Sequence, residues 1–444
     1  VRKIRMTRNS GDFPWQSRSR GARLAAMLAA AGAALALAGA GASAATASDI
    51  ARTLYVSPSG SPGGADTSCA TAAYTTIGSA LAAARPGDEV FVCAGTYDEQ
   101  VTISTSGITL KGSGPGTVID PTTSSPVTVR DSDSLSPVVP IVDVTPGTRR
   151  VRISGLAIDG SGLTGGFSWP GCGDQFAGVL FQAASGSVDR TVVQNVELPA
   201  NLFGCQDGNA ILIEGAPSGT PNQPTGTARV SIGMNTVTGY DKNGITCNDP
   251  GITCGIWRNA VTGVVTGSIA QNGVQIGFGA RGWVRGNQIS ADDYTGATNP
   301  TEPQADYAAG ILLYGARGDT HVTRNTLTND QIAIEVVHSR STLRGNAISE
   351  TGGGIAGSIG VFAAPCDYYC SDFGLSGGGE HLVMTGNAIS FPGGPLAGSY
   401  GVWAGDAAAS ATGVVRVHIA GNHIAGAEND VVLGPTATGT VITG

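Results

Sequence analysis

The chain has 444 residues, 68 of them Gly and 22 Pro, and only 13% are charged, about half the usual quarter. So few charges beside a normal apolar share of 41% exclude a disordered chain; the Gly residues lack the every-third period of a collagen and are too many for a helical bundle. The formal net charge of −8 argues against a nucleic-acid binder, which is normally basic, and leaves a compact, turn-rich β protein.

The chain opens with Arg18, Arg20 and Arg23 before an uncharged Ala/Leu-rich run from Leu24, which ends in Ala42-Ser43-Ala44 and Ala45-Thr46-Ala47. A basic start, an apolar middle and small residues at the end predict a secretory signal over residues 1–47, cleaved near Ala44 or Ala47. The run is long enough for a membrane anchor, but it has no basic flank on its far side, so no stable membrane span is expected. Beyond it, residues 48–444 read as one secreted, extracellular domain. This part carries 18 basic and 32 acidic side chains, a net charge of −14. Its eight cysteines are an even number in an exported chain, and no Cys-x-x-Cys or zinc-spaced His is present, so disulfides are expected. Cys69 with Cys93, Cys172 with Cys205, Cys247 with Cys254 and Cys366 with Cys370 are local pairs that fit, although spacing alone leaves the connectivity open.

After a first strand at Leu54-Tyr55-Val56, Thr76 stands as an N-cap before Ile77, Ala80, Leu81 and Ala84, the spacing of one helix face. Pro86-Gly87 stops this helix. Strands of three to six residues then alternate with Gly, Asn and Ser turns to the C-terminus. One recurring phrase, apolar-x-x-Asn-x-apolar, centres on Asn195, Asn235, Asn259, Asn287, Asn325, Asn346, Asn387 and Asn422. Between these asparagines lies Gly-apolar-x-apolar, as in Gly178-Val179-Leu180-Phe181 and Gly310-Ile311-Leu312-Leu313. A coil of just over 20 residues, with two or three short strands, predicts a parallel β-helix solenoid whose asparagines stack in the turns.

Residues 76–101 resemble the entry segment of the pectin-lyase-like superfamily of right-handed parallel β-helices. The phrases that carry this are Thr76-Ile77-Gly78-Ser79-Ala80-Leu81, Pro86-Gly87-Asp88 and Ala94-Gly95-Thr96-Tyr97-Asp98-Glu99-Gln100-Val101. The resemblance implies an all-β right-handed parallel β-helix with a short N-terminal capping helix and inserted loops. It implies no single activity, because that superfamily holds lyases, hydrolases, esterases, epimerases and adhesins. The D-F-I-F-G strand, the N-T-D, D-D, G-H-G, R-I-K series and the D-P-H-D of its enzymes are missing here, and only an isolated Asp292-Asp293 occurs, in what reads as an insertion.

Aligned on the Gly-apolar-x-apolar strands, the residues two after Gly form an outward row: Leu180, Leu212, Thr246, Gln275, Leu312, Ala333, Phe362, Trp403. A second outward row reads Gln182, Glu214, Asn248, Gly277, Tyr314, Glu335, Ala364, Gly405. Tyr314, Phe362 and Trp403 offer aromatic faces for sugar rings, overhung by the loop residues Tyr368 and Tyr369; the competing expectation is a loop folded over them. Glu335, placed one coil beyond Tyr314 and followed by His338 and Arg340, suits proton abstraction beside a uronate carboxylate, with arginine neutralising the charge. Arg281, Arg317 and Arg340 are expected to stack on successive coils, opposed by Asp319 and Glu335 or by an anionic ligand. The sequence thus predicts a secreted β-helix that meets a polysaccharide or cell-wall glycan, as a lyase or hydrolase of acidic glycans. The alternative is a non-catalytic glycan-binding or surface-structural solenoid. No cofactor is required and no nucleic acid is expected as partner. Calcium is kept as a candidate ligand at Asp292-Asp293 or Asn248-Asp249, although neither shows enough spaced oxygen ligands, and a monomer is expected.

Overall fold

A computed structural model describes residues 51–163, 175–198, 207–264, 269–294, 308–351, 358–364, 380–392, 396–405 and 415–443. The predicted leader, Cys172, Cys205, Cys366, Cys370, Tyr368 and Tyr369 lie outside these residues. Three long sheets make up the fold. Sheet A runs from Thr53–Val56 to Val441–Thr443, sheet B from Gly95–Tyr97 to His423–Ala425 and sheet C from Val101–Ile103 to Ala427–Leu433. The chain passes from C to A to B and back to C, and each strand pairs in parallel with its counterpart one coil on. The fold is a right-handed parallel β-helix. The one antiparallel pairing between strands is Val129–Arg130 against Pro137–Val138, among the described residues.

The alternation of each strand sends one set of residues inward. On sheet C, Val179, Ile211, Ile245, Val274, Ile311, Ile334, Val361 and Val402 stack in register over eight coils, each fully buried. Burying each such side chain contributes about 1.5–3 kcal/mol. In six of these eight coils the residue before the inward one is a glycine at the B–C corner, with Ala210 and Ala333 in its place in the other two. At Gly310 a Cβ would stand 2.7 Å from Asp330 Oδ2 and 2.9 Å from Leu327 Cδ2, so the position has no room for a side chain as the corner is packed.

The A–B corner is held by asparagines. Asn259 donates from both its backbone N and its Nδ2 to Asn287 Oδ1, at 2.9 Å each, and its Nδ2 also reaches Ile232 O of the preceding coil at 3.1 Å. The same three bonds recur from Asn235 through Asn387, and Asn422 closes the run. Seven of the eight predicted asparagines belong to it. Asn195 does not: Thr191 holds the corner of its coil, donating its N–H to Asn235 Oδ1, and Asn195 instead bonds Asp159. The residue before each ladder asparagine has positive φ, being Gly at 286, 345, 386 and 421 but Met234, Arg258 and Arg324 elsewhere. A non-glycine side chain in that conformation costs about 1–2 kcal/mol.

The helix forms as Ile77–Ala83, with Thr76 Oγ1 accepting from Ser79 N and Ile77, Ala80 and Leu81 buried. Glu99 accepts the N–H groups of Ile77 and Gly78 at 2.6 and 2.9 Å, a carboxylate at the positive end of the helix. Cys69 pairs with Cys93 and Cys247 with Cys254; the second bridge ties the end of a sheet C strand to the next sheet A strand within one coil.

Replacing Asn287 by Ala strands the N–H and amide of Asn259 and the carbonyl of Ile256. With about 1–3 kcal/mol for each buried polar group left unpaired, the variant should lose at least about 2 kcal/mol in urea unfolding. A loss below about 0.5 kcal/mol would show that the ladder is incidental.

Candidate functional site

The outer face of sheet C changes character along the axis. At the N-terminal end Val138, Ala177, Leu180 and Leu212 form an apolar cluster against Val129 of an overlying segment. In the centre Asn209, Asn243 and Asn272 bond side chain to side chain at 2.9 Å, with Thr246 on Asn209 at 2.7 Å and Gln275 on Asn248 at 3.0 Å. Toward the C-terminus Ile332, Ile359 and Phe362 form a second apolar cluster, with Leu312, Tyr400 and Trp403 packed on it.

The register revises the predicted rows. Leu312 pairs with Glu335, Glu335 with Phe362, and Phe362 with Trp403. Glu335 therefore belongs to the first outward row, and Tyr314 pairs with Val337. The sequence-based alignment slipped by two residues because Ala333 occupies the glycine position of that coil, paired between Gly310 and Gly360 by the register. The Trp403 ring lies 5.4 Å from Phe362 and 4.9 Å from Tyr400, while Tyr314 sits 5.4 Å from Phe278. Phe362 is buried, and Trp403, Tyr314 and Glu335 are half-buried.

The three residues proposed for proton transfer do not share a face. Glu335 points outward from sheet C, His338 lies in the C–A turn with φ 47°, and Arg340 begins a strand of sheet A. The predicted arginine stack is also altered. Arg317 sits in a turn one residue longer than the one before Arg281, and the register then sets Asp319 between Arg281 and Arg340. Arg340 Nε bonds Asp319 Oδ1 at 3.2 Å, an exposed pair; Arg281 and Arg317 are exposed.

A group of acids that no sequence motif signals closes over the N-terminal half of the face. The segment before Pro137–Val144 lays Asp131, Ser132 and Asp133 against Glu214 and Asp249. Ser132 Oγ lies 3.1 Å from Glu214 Oε2 and 2.6 Å from Asp249 Oδ2. Gln182 Nε2 and Gly215 N complete the donors, to Glu214 and Asp249 respectively. Burial raises all three outer carboxyls. It takes Glu214 well above the ordinary range, helped by Asp131. Asp249 rises in spite of the bonds from Ser132 and Gly215. Asp133 is pushed up to about 8 by burial and then by Asp249. Two carboxyl–carboxyl hydrogen bonds result, Asp133 to Asp249 and Glu214 to Asp131. Each requires a proton, so the overlying segment is fastened by neutral acids. Nearby Asp143 is raised to about 6 by burial alone.

Asp292-Asp293, read from sequence as part of an insertion, is fully buried at the B–C corner. Asp292 accepts Tyr240 Oη at 2.7 Å and donates its N–H to Asp330 at 3.1 Å, and Asp330 N donates to Glu350 at 2.7 Å. This acid stack repeats the asparagine device at another corner. Among the described residues no group of three or more His, Cys, Asp or Glu side chains is arranged to hold a metal ion, and no helix is long and apolar enough to cross a membrane.

No family model matches the chain, and no curated protein matches it by sequence. Among solved structures, the AlgE4 mannuronan C-5 epimerase A-module of Azotobacter vinelandii is similar. The identity is 14% with a TM-score of 0.50, over 81% of this chain and 91% of that one. The AlgE6 A-module of the same organism follows at 17% and 0.49, over 83% and 93%. The GH136 lacto-N-biosidase of Eubacterium ramulus shows 14% and 0.47, over 88% and 67%. At such identities the likeness is one of fold.

The protonated acids give stability a definite pH dependence. Asp133 ionises near 4 when unfolded and near 8 when folded, so its contribution is complete below about pH 4 and lost as pH rises through about 8. Between pH 5 and 9 the protein should therefore lose stability steadily, by less than the full shift because the group is partly open to solvent. Asp133→Asn, which keeps a donor toward Asp249, should flatten that decline in melting experiments; an unchanged slope would remove the proton-held fastening.

Proposed function

We propose that this chain is a secreted β-helix protein that engages an acidic polysaccharide along the C-terminal half of the sheet C face. The observation that carries the proposal is the single outward row in which Glu335 is followed on the next two coils by Phe362 and Trp403. Coils repeat at about 4.8 Å, so the Glu335 carboxyl group and the half-buried Trp403 ring, packed on the buried Phe362 between them, lie on a line suited to a linear chain of sugars. Aromatic rings present apolar surface to the C–H faces of sugars, and Glu335 in the same row is the acid–base candidate for elimination or hydrolysis, with His338 in the adjoining turn. The fold shared with a mannuronan C-5 epimerase module is consistent with this reading. The helix Ile77–Ala83 is proposed to cover the open edge of the first coil.

The placement of Arg340 on sheet A favours a second reading, in which the face binds glycan without turning it over. Incubating the protein with pectate, alginate and glycosaminoglycans, with and without calcium, separates the two. New reducing ends or unsaturated products, abolished in Glu335→Gln, support catalysis; retention without products supports binding alone. Trp403→Ala should weaken retention on the glycan about tenfold, the loss of one good aromatic contact, and unchanged retention would rule out the platform.

A further inference from the structure

The A–B corner carries a second feature, on the opposite side of the coil sequence from the sheet C row. Arg258, Arg285, Arg324 and Arg344 stand on four consecutive coils. All four are exposed, and among the described residues none has a carboxylate within ion-pair distance. Arg285 and Arg344 end their strands, whereas Arg258 and Arg324 occupy the next position, at the corner itself, so the cations alternate from side to side. The alternate coils put Gly286 and Gly345 at that corner position, and the stems of Arg258 and Arg324 run over them; a Cβ there would lie 3.9 and 3.8 Å from the Cγ atoms. The outward residues of the adjoining sheet B strands, Gln288, Ser290, Thr326 and Thr328, are uncharged.

Like charges about one coil apart repel, and Arg258 and Arg324 also hold a positive φ, 52° and 56°, that glycine fills freely in neighbouring coils. Strain retained where a simpler residue would relieve it points to function. Beside the ladder lie two indoles. The Trp257 ring covers Gly233, where a Cβ would meet three ring atoms at 2.2–2.6 Å, and the Trp283 ring covers Gly255 in the same way at 2.5–3.2 Å. Trp257 Nε1 is anchored on Ser231 Oγ at 3.0 Å, and Trp283 is 40% exposed.

We propose that this corner is a binding surface for a linear polyanionic polysaccharide, laid along the solenoid axis with its charged groups on the arginine ladder and sugar faces on Trp257 and Trp283. The site is separate from the sheet C row. The coil step is close to the advance of one sugar in an extended chain, so successive anionic sugars meet successive arginines. Guanidinium groups suit carboxylate and sulfate alike, and on an acidic protein this strip is the local exception in sign.

The test uses the double variant Arg258→Gly/Arg324→Gly in the full chain, with Arg285→Ala/Arg344→Ala as a second. Binding of polygalacturonate, chondroitin sulfate, a neutral glucan and a single-stranded oligonucleotide is measured at low and high salt. The glycine pair relieves strain, so its melting temperature should equal or exceed that of the parent. Its affinity for polygalacturonate or chondroitin sulfate should nevertheless fall about tenfold, and less of that affinity should be lost to added salt. Comparison of the two acidic polymers shows whether carboxylate or sulfate is preferred, and oligomers too short to span four coils should bind weakly. Undiminished affinity in both double variants, or equal binding of the neutral glucan, overturns the proposal. An oligonucleotide held more tightly than either acidic glycan overturns the ligand class. If affinity persists in the arginine variants but falls in Trp403→Ala, the ladder is refuted while the sheet C reading stands; the reverse pattern supports the ladder alone.

Discussion

The structure depends on one repeated bond, the acceptance by each corner asparagine of both the backbone N–H and the side-chain amide of the asparagine one coil before it. A buried corner cannot leave a backbone N–H or carbonyl unpaired without a cost comparable to the net worth of a hydrogen bond or more. The asparagine answers both needs at once, since its oxygen takes the neighbour's donors and its nitrogen reaches back to a carbonyl. It also sets the spacing of the coils, because the same amide must touch the coil before and the coil after. The stacked Val and Ile side chains inside and the parallel ladders of all three sheets follow from that spacing.

The same corner dictates the conformation of the residue before it. A positive φ is required wherever the chain turns into the ladder, and glycine meets the requirement without strain. Arg258 and Arg324 meet it against their steric preference, which makes them informative in a way that ordinary surface arginines are not. At the B–C corner acids take the place of amides. Asp292, Asp330 and Glu350 are raised far above their usual range by burial; Asp330 and Glu350 accept backbone N–H groups from the preceding coil, and Asp292 accepts the Tyr240 hydroxyl. Protons therefore serve in this molecule both within the corners and, at Asp133 and Glu214, in fastening a segment over the outside.

The fold was legible because it is periodic. The asparagine phrase and the glycine phrase recur at short intervals, and each reports a local requirement, a corner or a close approach, that the same residue satisfies in every coil. The exceptions mark where the reading failed. Asn195 carries the phrase without holding the corner, since Thr191 does so in its coil. Glu335 was assigned to the wrong row because Ala333 takes a place that glycine marks elsewhere, and a two-residue slip preserves the inward and outward alternation. The Asp131–Asp133 segment gave no signal at all. Ser132 meets Glu214 and Asp249 across 82 and 117 residues, and nothing periodic joins them.

The amino-acid sequence by itself determined the solenoid, its inward residues and the capped helix at Ile77–Ala83, and it offered Cys69 with Cys93 and Cys247 with Cys254 as local pairs that the structure then fixed. These are consequences of spacing along the chain, through side-chain alternation, turn chemistry and short loops. Only the tertiary structure decided which outward residues share a line, that Glu335 and Arg340 stand on different sheets, that Asp319 separates Arg281 from Arg340, and that four arginines meet at one corner. Those relations depend on the register between coils and on turns of unequal length. A residue's neighbour one coil on lies some twenty to forty positions away, so each extra residue in a turn shifts which side chains meet without disturbing the pattern within any strand.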